Sequence, residues 1–239
     1  MIPAKIYYVW LGGNPLSLDI KDNIESWKET NPDYDIVRID ETNFDISKYC
    51  FIEDAYNSKN WAFASDLIRL VTIYENGGFY FDTDVKLLKS LDPFLKYKSV
   101  WGMETPGLIN SGLIIGAEKK DKHIGNIINV YKKLDFDPDN IYDFVTTKII
   151  SNYFMKYGLK ANNRLQVLDD YVYVFPSDYF APLHWWGGGH TTKRTIAIQQ
   201  YSKNWGDSNK MSGSGKFVRN FYHHFPRTYL SLKKIKDIF

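Results

Sequence analysis

The first forty residues alternate between segments typical of strands and of a helix. Residues 6–11 are mostly β-branched or aromatic and stop at a Gly-Gly pair, which predicts a buried strand followed by a loop. A helix is predicted next, because Ser17 is a suitable N-cap and apolar residues recur at helical spacing over residues 20–27. A short strand is predicted over residues 35–39. This strand–helix–strand order predicts a layered α/β sheet with a ligand-facing loop after its first strand.

The clearest helical pattern covers residues 61–74 and ends before a glycine pair, a common stop signal for helices. Apolar residues almost encircle this segment, so we expect the helix to be buried. Ser65, Asp66 and Arg69 nevertheless share one face, because positions three and four apart are neighbours on a helix. The pattern therefore predicts a buried helix that carries one polar stripe.

Residues 79–85 predict a strand that ends in two carboxylates. Side chains alternate along a strand, so Asp82 and Asp84 are expected on the same face. Carboxylates beside an apolar strand need counter-charge, and a hard divalent cation would supply it while keeping positions open for phosphates. A solvated strand end, or neutralisation by Arg69, is the alternative. Together with the polar stripe, the pair predicts metal-assisted phosphate chemistry or binding.

The remaining chain continues the alternation and then changes character. Strands are predicted over residues 113–115, 172–175 and 195–200, and helices over residues 124–134 and 142–157. Residues 206–215 are polar and rich in Gly and Ser, which predicts a hinge. Residues 216–239 form a basic, amphipathic tail.

Composition narrows the class of protein. The chain has 239 residues, of which 44% are hydrophobic and 24% charged, as in globular proteins. A net charge of only +2 gives no electrostatic reason to expect a nucleic-acid partner. The single cysteine, Cys50, excludes an intrachain disulfide and a Cys-rich zinc site. Neither a signal peptide nor a membrane-spanning run is visible, so the predicted location is cytoplasmic.

Two linked runs resemble the signature of the DXD-motif sugar transferases: WAFASDLIRL at residues 61–70 and YENGGFYFDTDV at residues 74–85. This family includes the yeast initiating mannosyltransferase, bacterial capsule and lipopolysaccharide transferases and, more distantly, the glucosylating clostridial toxins. Residues 6–13, 26–32 and 201–205 are also similar to that family.

The resemblance implies a GT-A fold over residues 1–205, a Rossmann-like mixed sheet flanked by helices, followed by the hinge and a C-terminal helical appendage. It implies retaining transfer of a hexose from a nucleotide sugar, a UDP-sugar in our prediction, with Mn²⁺ or Mg²⁺. The implied acceptor is a saccharide or a lipid-linked glycan, as in capsule and lipopolysaccharide biosynthesis. We favour front-face transfer over a covalent carboxylate intermediate, because no carboxylate lies in a motif that demands a nucleophile.

The resemblance also implies roles for individual residues. Those implied to bind the nucleotide base or ribose are Val9, Trp10, Trp61 and Tyr80. Those implied to contact the donor's sugar or phosphates are Ser65, Asp66, Arg69, Asn110 or Ser111, and Trp205. Asp84 would bind the metal directly, and Asp82 would reach the metal or the ribose. The predicted catalytic residues are Asp66, Arg69, Asp82 and Asp84.

The sequence departs from the family at one position. Many members have a His directly before the Tyr-Ser of the last motif, where it helps to bind the cation. This chain has Gln200 there, which offers a carbonyl oxygen instead of an imidazole. Gln200 is therefore the predicted third metal ligand, with Ser202, Asn204 or water as alternatives.

Two other segments permit two interpretations each. The loop from His184 to His190 contains two Trp and three Gly, and suits either an acceptor-binding loop or an aromatic corner of the core. In the tail, Phe217, Phe221 and Phe225 share one helical face, as on a helix that lies on anionic lipid. Such a helix would place the protein peripherally on the inner face of the plasma membrane; the alternative is a helix docked on its own domain.

Two other functions remain open at this stage. An aspartyl-nucleophile phosphatase or phosphotransferase also uses Asp-x-Asp after a hydrophobic strand. Such enzymes have Thr or Val two residues beyond the second Asp, where this chain has Lys86. A non-catalytic binder of nucleotide sugars would keep the same pocket without turnover.

Overall fold

The computed structural model describes residues 1–201 and 213–236. Ten strands are assigned within those ranges: β1 Lys5–Val9, β2 Asp35–Ile39, β3 Gly78–Tyr80, β4 Val85–Leu87, β5 Ser99–Thr105, β6 Leu108–Ile109, β7 Ile115–Ala117, β8 Gln166–Leu168, β9 Val172–Phe175 and β10 Ala197–Gln199. The α-helices are α1 Leu18–Thr30, α2 Cys50–Asn57, α3 Trp61–Asn76, α4 Lys122–Tyr131, α5 Thr146–Met155, α6 Ser177–Phe180, α7 Gly213–His224 and α8 Pro226–Lys236.

Eight strands form one mixed sheet in the order β2-β1-β3-β7-β5-β9-β8, with β6 paired to β5. Strands β1, β2, β3, β5 and β9 all run in the same direction, because β7 is antiparallel to both β3 and β5. Their carboxyl ends therefore meet at one edge of the sheet, which we call the C-terminal edge. Strands β4 and β10 form a separate antiparallel ribbon.

Two apolar layers cover the sheet. One contains side chains of α2, α3, α4 and α5, with Phe51, Leu67 and Phe154 at its centre. The other lies under α1 and the β4–β10 ribbon, where the fully buried Trp27 donates its indole hydrogen to Val85 O at 2.8 Å. This arrangement confirms the predicted α/β class with a Rossmann-like sheet and C-terminal helices.

Helix α3 confirms the strongest sequence pattern and explains its glycine stop. The helix ends at Asn76, and Gly77 then adopts φ 69°, in the left-handed region that glycine tolerates best. The next glycine packs against β1: a Cβ on Gly78 would lie 2.9 Å from Lys5 O. The glycine pair therefore turns the chain directly from α3 into β3.

The strand predicted over residues 79–85 is wrong as a continuous element. β3 ends at Tyr80, and β4 begins only at Val85, whose amide donates to Asp82 O at 3.1 Å across the intervening turn. The amide of Asp82 donates to Gly112 O instead of joining a strand ladder. Aspartate is a poor strand former, and both Asp82 and Asp84 lie in the turn between β3 and β4.

Other predicted bounds also shift. The strand expected at 113–115 is Ile115–Ala117, the one expected at 195–200 is Ala197–Gln199, and the helix expected at 142–157 is a 3-10 turn at Ile141–Phe144 followed by Thr146–Met155.

The C-terminal helices pack on the rest of the protein. Tyr222 of α7 donates its hydroxyl hydrogen to Pro106 O at 2.7 Å, and Asn220 accepts from the indole of Trp186 at 2.9 Å. Phe217, Phe221 and Phe225 line up along another face, with successive ring centroids 6.4 and 5.6 Å apart. Helix α7 is thus docked on its own domain and also has the predicted Phe face.

Residues 206–212 of the predicted hinge lie outside the described residues, and residues 213–215 are the first of α7. The boundaries predicted at residues 205 and 216 stay predictions. In the part of the chain that the structure describes, no helix has the length and apolar character needed to cross a membrane.

Candidate active site

A buried arginine organises the C-terminal edge of the sheet at the end of β3. Arg69 on α3 contacts Asp66 of its own helix, with Nη1 3.0 Å from Oδ1, and Asp82 of the turn after β3, with Nη2 3.0 Å from Oδ1. Its side chain is only 4% exposed, against 11% for Asp66 and 31% for Asp82. Ser65 accepts a further hydrogen bond from Nη2 at 3.0 Å. The structure therefore brings together the predicted polar stripe and the first Asp of the DXD motif.

Asp82 is fixed from two directions. Tyr80 donates its hydroxyl hydrogen to Asp82 Oδ1 at 2.8 Å, and the Arg69 guanidinium lies 4.9 Å from the centroid of the Tyr80 ring. The other oxygen, Oδ2, lies against Gly112, where an added Cβ would come within 1.9 Å of it. Only glycine therefore fits beside this carboxylate. Sequence reasoning did not single out Gly112, although a glycine after Asn-Ser ahead of a strand was visible.

The ionisation of this cluster follows from its burial. Burial raises the pKa of Asp66 to about 7. The negative charge of Asp82 also raises this pKa, whereas the positive charge of Arg69 lowers it. Burial acts to lower the pKa of Arg69, but the charges of Asp82, Tyr80 and Asp66 together raise it above its usual value. Arg69 is therefore permanently charged, whereas Asp66 changes its charge near neutral pH.

Asp84 faces different partners from Asp82. Gln199 of β10 donates its side-chain amide hydrogen to Asp84 Oδ1 at 2.9 Å, and the backbone amide of Gln200 donates to Asp84 O at 2.9 Å. The Gln200 side chain accepts a hydrogen bond from Asn23 at 3.3 Å. The structure thus places Gln200 beside Asp84 through the backbone, while Gln199, which sequence reasoning missed, touches the carboxylate. No local signal distinguishes these two neighbouring glutamines.

The oxygen atoms around Asp84 suit a hard divalent cation. Gln199 Oε1 is buried and has no hydrogen-bond partner, so it can accept a hydrogen bond or bind an ion. Carboxylate and amide oxygens are the ligands that Mg²⁺ and Mn²⁺ prefer. Asp82, Asp84 and Gln199 together fit such an ion, although residues 1–201 and 213–236 contain no preformed cluster of three His, Cys, Asp or Glu ligands.

The predicted base pocket lies at the end of β1. Val9 is buried and Trp10 is half-buried, with its indole donating to Asn14 O at 2.6 Å. The ring of Trp61 covers the loop after β1, because a Cβ on Gly12 would lie 2.6 Å from that ring. Val9, Trp10 and Trp61 therefore all lie close to the loop after β1.

A carboxylate that sequence reasoning missed holds this loop in place. Glu41 accepts hydrogen bonds from the Gly12 amide at 2.6 Å and from the Tyr56 hydroxyl at 3.0 Å. Nothing in the local sequence around Glu41 marks it for this position, since its partners come from other segments.

The loop between β6 and β7 faces the cluster from the other side. Ser111 accepts from Arg69 Nη1 at 3.1 Å, and Asn110 accepts from the Gly112 amide at 2.8 Å. The side-chain amide of Asn110 donates to Glu104 of β5 at 3.1 Å. Burial raises the pKa of Glu104, while hydrogen bonds from Asn110 and Tyr201 oppose the rise. Glu104 was also missed, although it is the one charged residue of the strand SVWGMET, a visible signal.

Three of the predicted residues lie outside the described residues: Trp205 and the alternative metal ligands Ser202 and Asn204.

The two tryptophans of the loop from His184 to His190 contact α7. Trp186 is 2% exposed and stacks on His184 at 4.6 Å and 9°. The guanidinium of Arg219 lies 4.4 Å from the Trp185 ring. These contacts favour the aromatic-corner interpretation for the tryptophans, because their faces pack within the protein.

Comparisons with known proteins agree with this geometry. Residues 17–101 match the family model of the glycosyltransferase sugar-binding region containing the DXD motif. The structure is similar to PaToxG glycosyltransferase, with a TM-score of 0.54 and 16% identity over 65% of this chain and 68% of that one. None of the curated proteins matches the chain.

Two further solved structures are more distantly similar. One is a glycosyltransferase involved in the glycosylation of the major capsid of PBCV-1, with a TM-score of 0.46 and 10% identity over 84% of this chain and 95% of that one. The other is the UDP-bound glycosyltransferase domain from the YGT toxin, with a TM-score of 0.42 and 12% identity over 67% and 68%.

The family model supports glycosyl transfer, and the solved structures support the fold. The matched region, residues 17–101, contains the Arg69 cluster and both aspartates of the motif. The predicted GT-A fold and the predicted resemblance to the DXD-motif sugar transferases are therefore confirmed.

Proposed function

We propose that this protein is a retaining glycosyltransferase that moves a hexose from a nucleotide sugar, a UDP-sugar, to a saccharide acceptor, assisted by Mn²⁺ or Mg²⁺. The observation that carries the proposal is the buried Arg69 cluster, which holds Asp66 and Asp82 at the C-terminal edge beside Asp84. Ligands of open α/β sheets bind at this edge.

Asp66 and Arg69 would position the donor. Both side chains are nearly buried and held at 3.0 Å from each other, so little rotational freedom is lost when substrate arrives. The ionised Asp66 carboxylate is suited to accept hydrogen bonds from sugar hydroxyls. The Arg69 guanidinium, whose charge is permanent, is suited to a hydroxyl or phosphate oxygen.

The leaving nucleoside diphosphate gains negative charge as the glycosidic bond breaks. Asp84, Asp82 and Gln199 would hold the divalent ion, which when bound supplies positive charge to the diphosphate oxygens. Val9, Trp10 and Trp61 would bind the base, and stacking of a base on an aromatic ring contributes about 1–3 kcal/mol. We retain front-face transfer, with acceptor attack on the side from which the diphosphate leaves.

The C-terminal helices would bring the protein to its acceptor at an anionic membrane surface. Phe217 of α7 is 71% exposed and Phe225, directly after α7, is 58% exposed, whereas Asn220 and Tyr222 make the docking contacts. The same helices carry Lys216 and Lys233, and each Lys near an anionic surface contributes about 1 kcal/mol. A lipid-linked glycan in the inner leaflet is the acceptor that such attachment would serve, with the protein peripheral on the cytoplasmic side.

Donor hydrolysis by the purified protein tests the proposal. A panel of nucleotide sugars is incubated with Mn²⁺ or Mg²⁺, with EDTA as the control for the ion. We expect slow hydrolysis of one UDP-sugar, and a loss of about a thousandfold in Asp84→Ala, as for a group that stabilises transition-state charge. Asp33→Ala, at an exposed aspartate in the turn before β2, is the matched control and keeps the wild-type rate.

Other outcomes point elsewhere. Cleavage of phosphomonoesters instead of nucleotide sugars would indicate a phosphatase, and tight nucleotide-sugar binding without turnover would indicate a non-catalytic binder. Hydrolysis by Asp84→Ala at the wild-type rate with EDTA present would refute the role of the metal.

A further inference from the structure

A polar cavity of about 320 Å³ lies between α6, the glycine-rich loop and α7. Its lining includes Asp178 of α6, Thr192, and His184 and His223 from the loop and α7. The cavity shares no residue with the Arg69 cluster, and it is lined in part by the loop from His184 to His190, for which the sequence left an acceptor-binding role open. Its volume is near the lower end of ligand pockets, which suits a small ligand such as one or two sugar rings.

The topology of the sheet relates this cavity to the donor site. Helix α6 begins two residues after β9, so Asp178 lies at the C-terminal edge, as does the Arg69 cluster beyond β3. β9 is three strands away from β3 in the order β3-β7-β5-β9. At about 4.8 Å per strand, the cavity lies roughly 14 Å along the edge from the donor cluster.

Two buried polar atoms at the cavity have no partner. Arg194 contacts Asp178 Oδ2, with Nη2 at 2.7 Å and Nε at 3.0 Å, but Asp178 Oδ1 is buried without a hydrogen bond. His223 Nδ1 is likewise buried and unpaired. Burying a polar atom without a hydrogen-bond partner is unfavourable, so both atoms favour a ligand that donates and accepts hydrogen bonds.

The lining carries little charge. Burial, together with neighbouring histidines, lowers the pKa of His184, and it lowers that of His223 to about 4, so both rings are neutral at pH 7. The one lining carboxylate, Asp178, is already paired with Arg194, and no lining residue is Lys or Arg among those that the structure describes. A phosphate or carboxylate ligand would meet no Lys or Arg in this described lining. A neutral, hydroxyl-rich ligand matches this lining.

We infer that this cavity is a binding subsite for a neutral sugar unit of the acceptor glycan. That the bound sugar belongs to an acceptor rests on the proposed glycosyl transfer. That the cavity binds a saccharide is argued from its lining residues alone. The unit bound here would be remote from the hydroxyl that is glycosylated, because the cavity lies along the sheet edge from the donor cluster. Helix α7 contributes His223 and Asn220 to one wall, so the C-terminal helices complete the subsite.

Two variants change the chemistry of the cavity with little change of shape. Asp178→Asn keeps an oxygen for Arg194 but turns the unpaired acceptor into a donor. His223→Phe removes the unpaired nitrogen and keeps an aromatic ring against His184, whose ring centroid lies 4.3 Å from that of His223. Asp33→Asn is the matched control, an exposed aspartate in the turn before β2.

The full chain is titrated with neutral methyl glycosides and disaccharides, and with glucose 1-phosphate as the anionic probe, using ligand-observed NMR. We expect at least one neutral saccharide to bind, with affinity at least tenfold weaker in Asp178→Asn and in His223→Phe but unchanged in Asp33→Asn. Donor hydrolysis without acceptor should be unchanged in all three variants. Thermal unfolding of each variant confirms that the protein is folded.

Binding of no neutral saccharide, stronger binding of the anionic probe, or equal saccharide affinity in the folded variants and the wild type would overturn the inference. Failure of the proposed function has a different signature, namely loss of donor hydrolysis by the wild-type chain. The two failures are therefore distinguishable.

Discussion

Replacement of Arg69 by Met should destabilise the protein in a pH-dependent way. Met keeps much of the apolar stem but loses the guanidinium, which lies 4.9 Å from the centroid of the Tyr80 ring, so the variant removes the charge more than the volume. The change leaves Asp66 and Asp82 without their shared cation, at side-chain exposures of 11% and 31%. Removing one partner of a buried ion pair typically costs about 3–5 kcal/mol.

The pH dependence follows from Asp66. In the wild type, burial raises the pKa of Asp66 from its ordinary value to about 7. The free energy of unfolding therefore falls as pH rises to about 7, and Asp66 causes no further fall above that pH. Without Arg69 that pKa rises further, because the guanidinium is what opposes the effect of burial. The variant therefore continues to lose stability above pH 7, where the wild type does not. We expect a difference of about 3–5 kcal/mol at pH 8.5 and a smaller one at pH 6.

Urea unfolding, followed by the fluorescence of the seven tryptophans, measures these differences. Lys28→Met is the control, because Lys28 and Glu25 form a pair in which both side chains are more than half exposed. Lys28→Met should lower the free energy of unfolding by less than about 1 kcal/mol at either pH. A cost for Arg69→Met as small as that of the control, or one that shrinks as pH rises, would refute the account of the cluster.

Three further predictions concern the same edge of the sheet. Asp66→Asn should remove the fall in unfolding free energy between pH 4 and about 7, worth roughly 1.4 kcal/mol per unit of pKa shift, and an unchanged pH profile by urea unfolding would contradict this. Gly112→Ala should abolish most donor hydrolysis while the protein stays folded by circular dichroism, because the new methyl would lie 1.9 Å from Asp82 Oδ2; wild-type rates would show that the carboxylate moves freely. Trp10→Ala should weaken UDP binding by about 1–3 kcal/mol, and equal affinity in calorimetry would place the base elsewhere.

The local elements around the site follow from short stretches of sequence. The periodicity of residues 61–74 and the glycines after them specify α3 and its stop, because helix propensity and left-handed backbone geometry are properties of short segments. The same locality places Ser65, Asp66 and Arg69 on one face. The linked motifs then predicted the resemblance to the DXD-motif sugar transferases and the fold.

The tertiary structure decided which atoms meet. The local pattern predicted a strand that continued to Val85. In the structure the Asp82 amide donates to Gly112 O and its carboxylate pairs with Arg69, so β3 ends at Tyr80.

Gln199 reaches Asp84 across 115 residues because β10 pairs with β4, and the cavity at α6 is closed by α7. Such partners are selected by sheet order and by the burial of polar atoms. Both depend on residues far apart in the chain, and no local pattern encodes them.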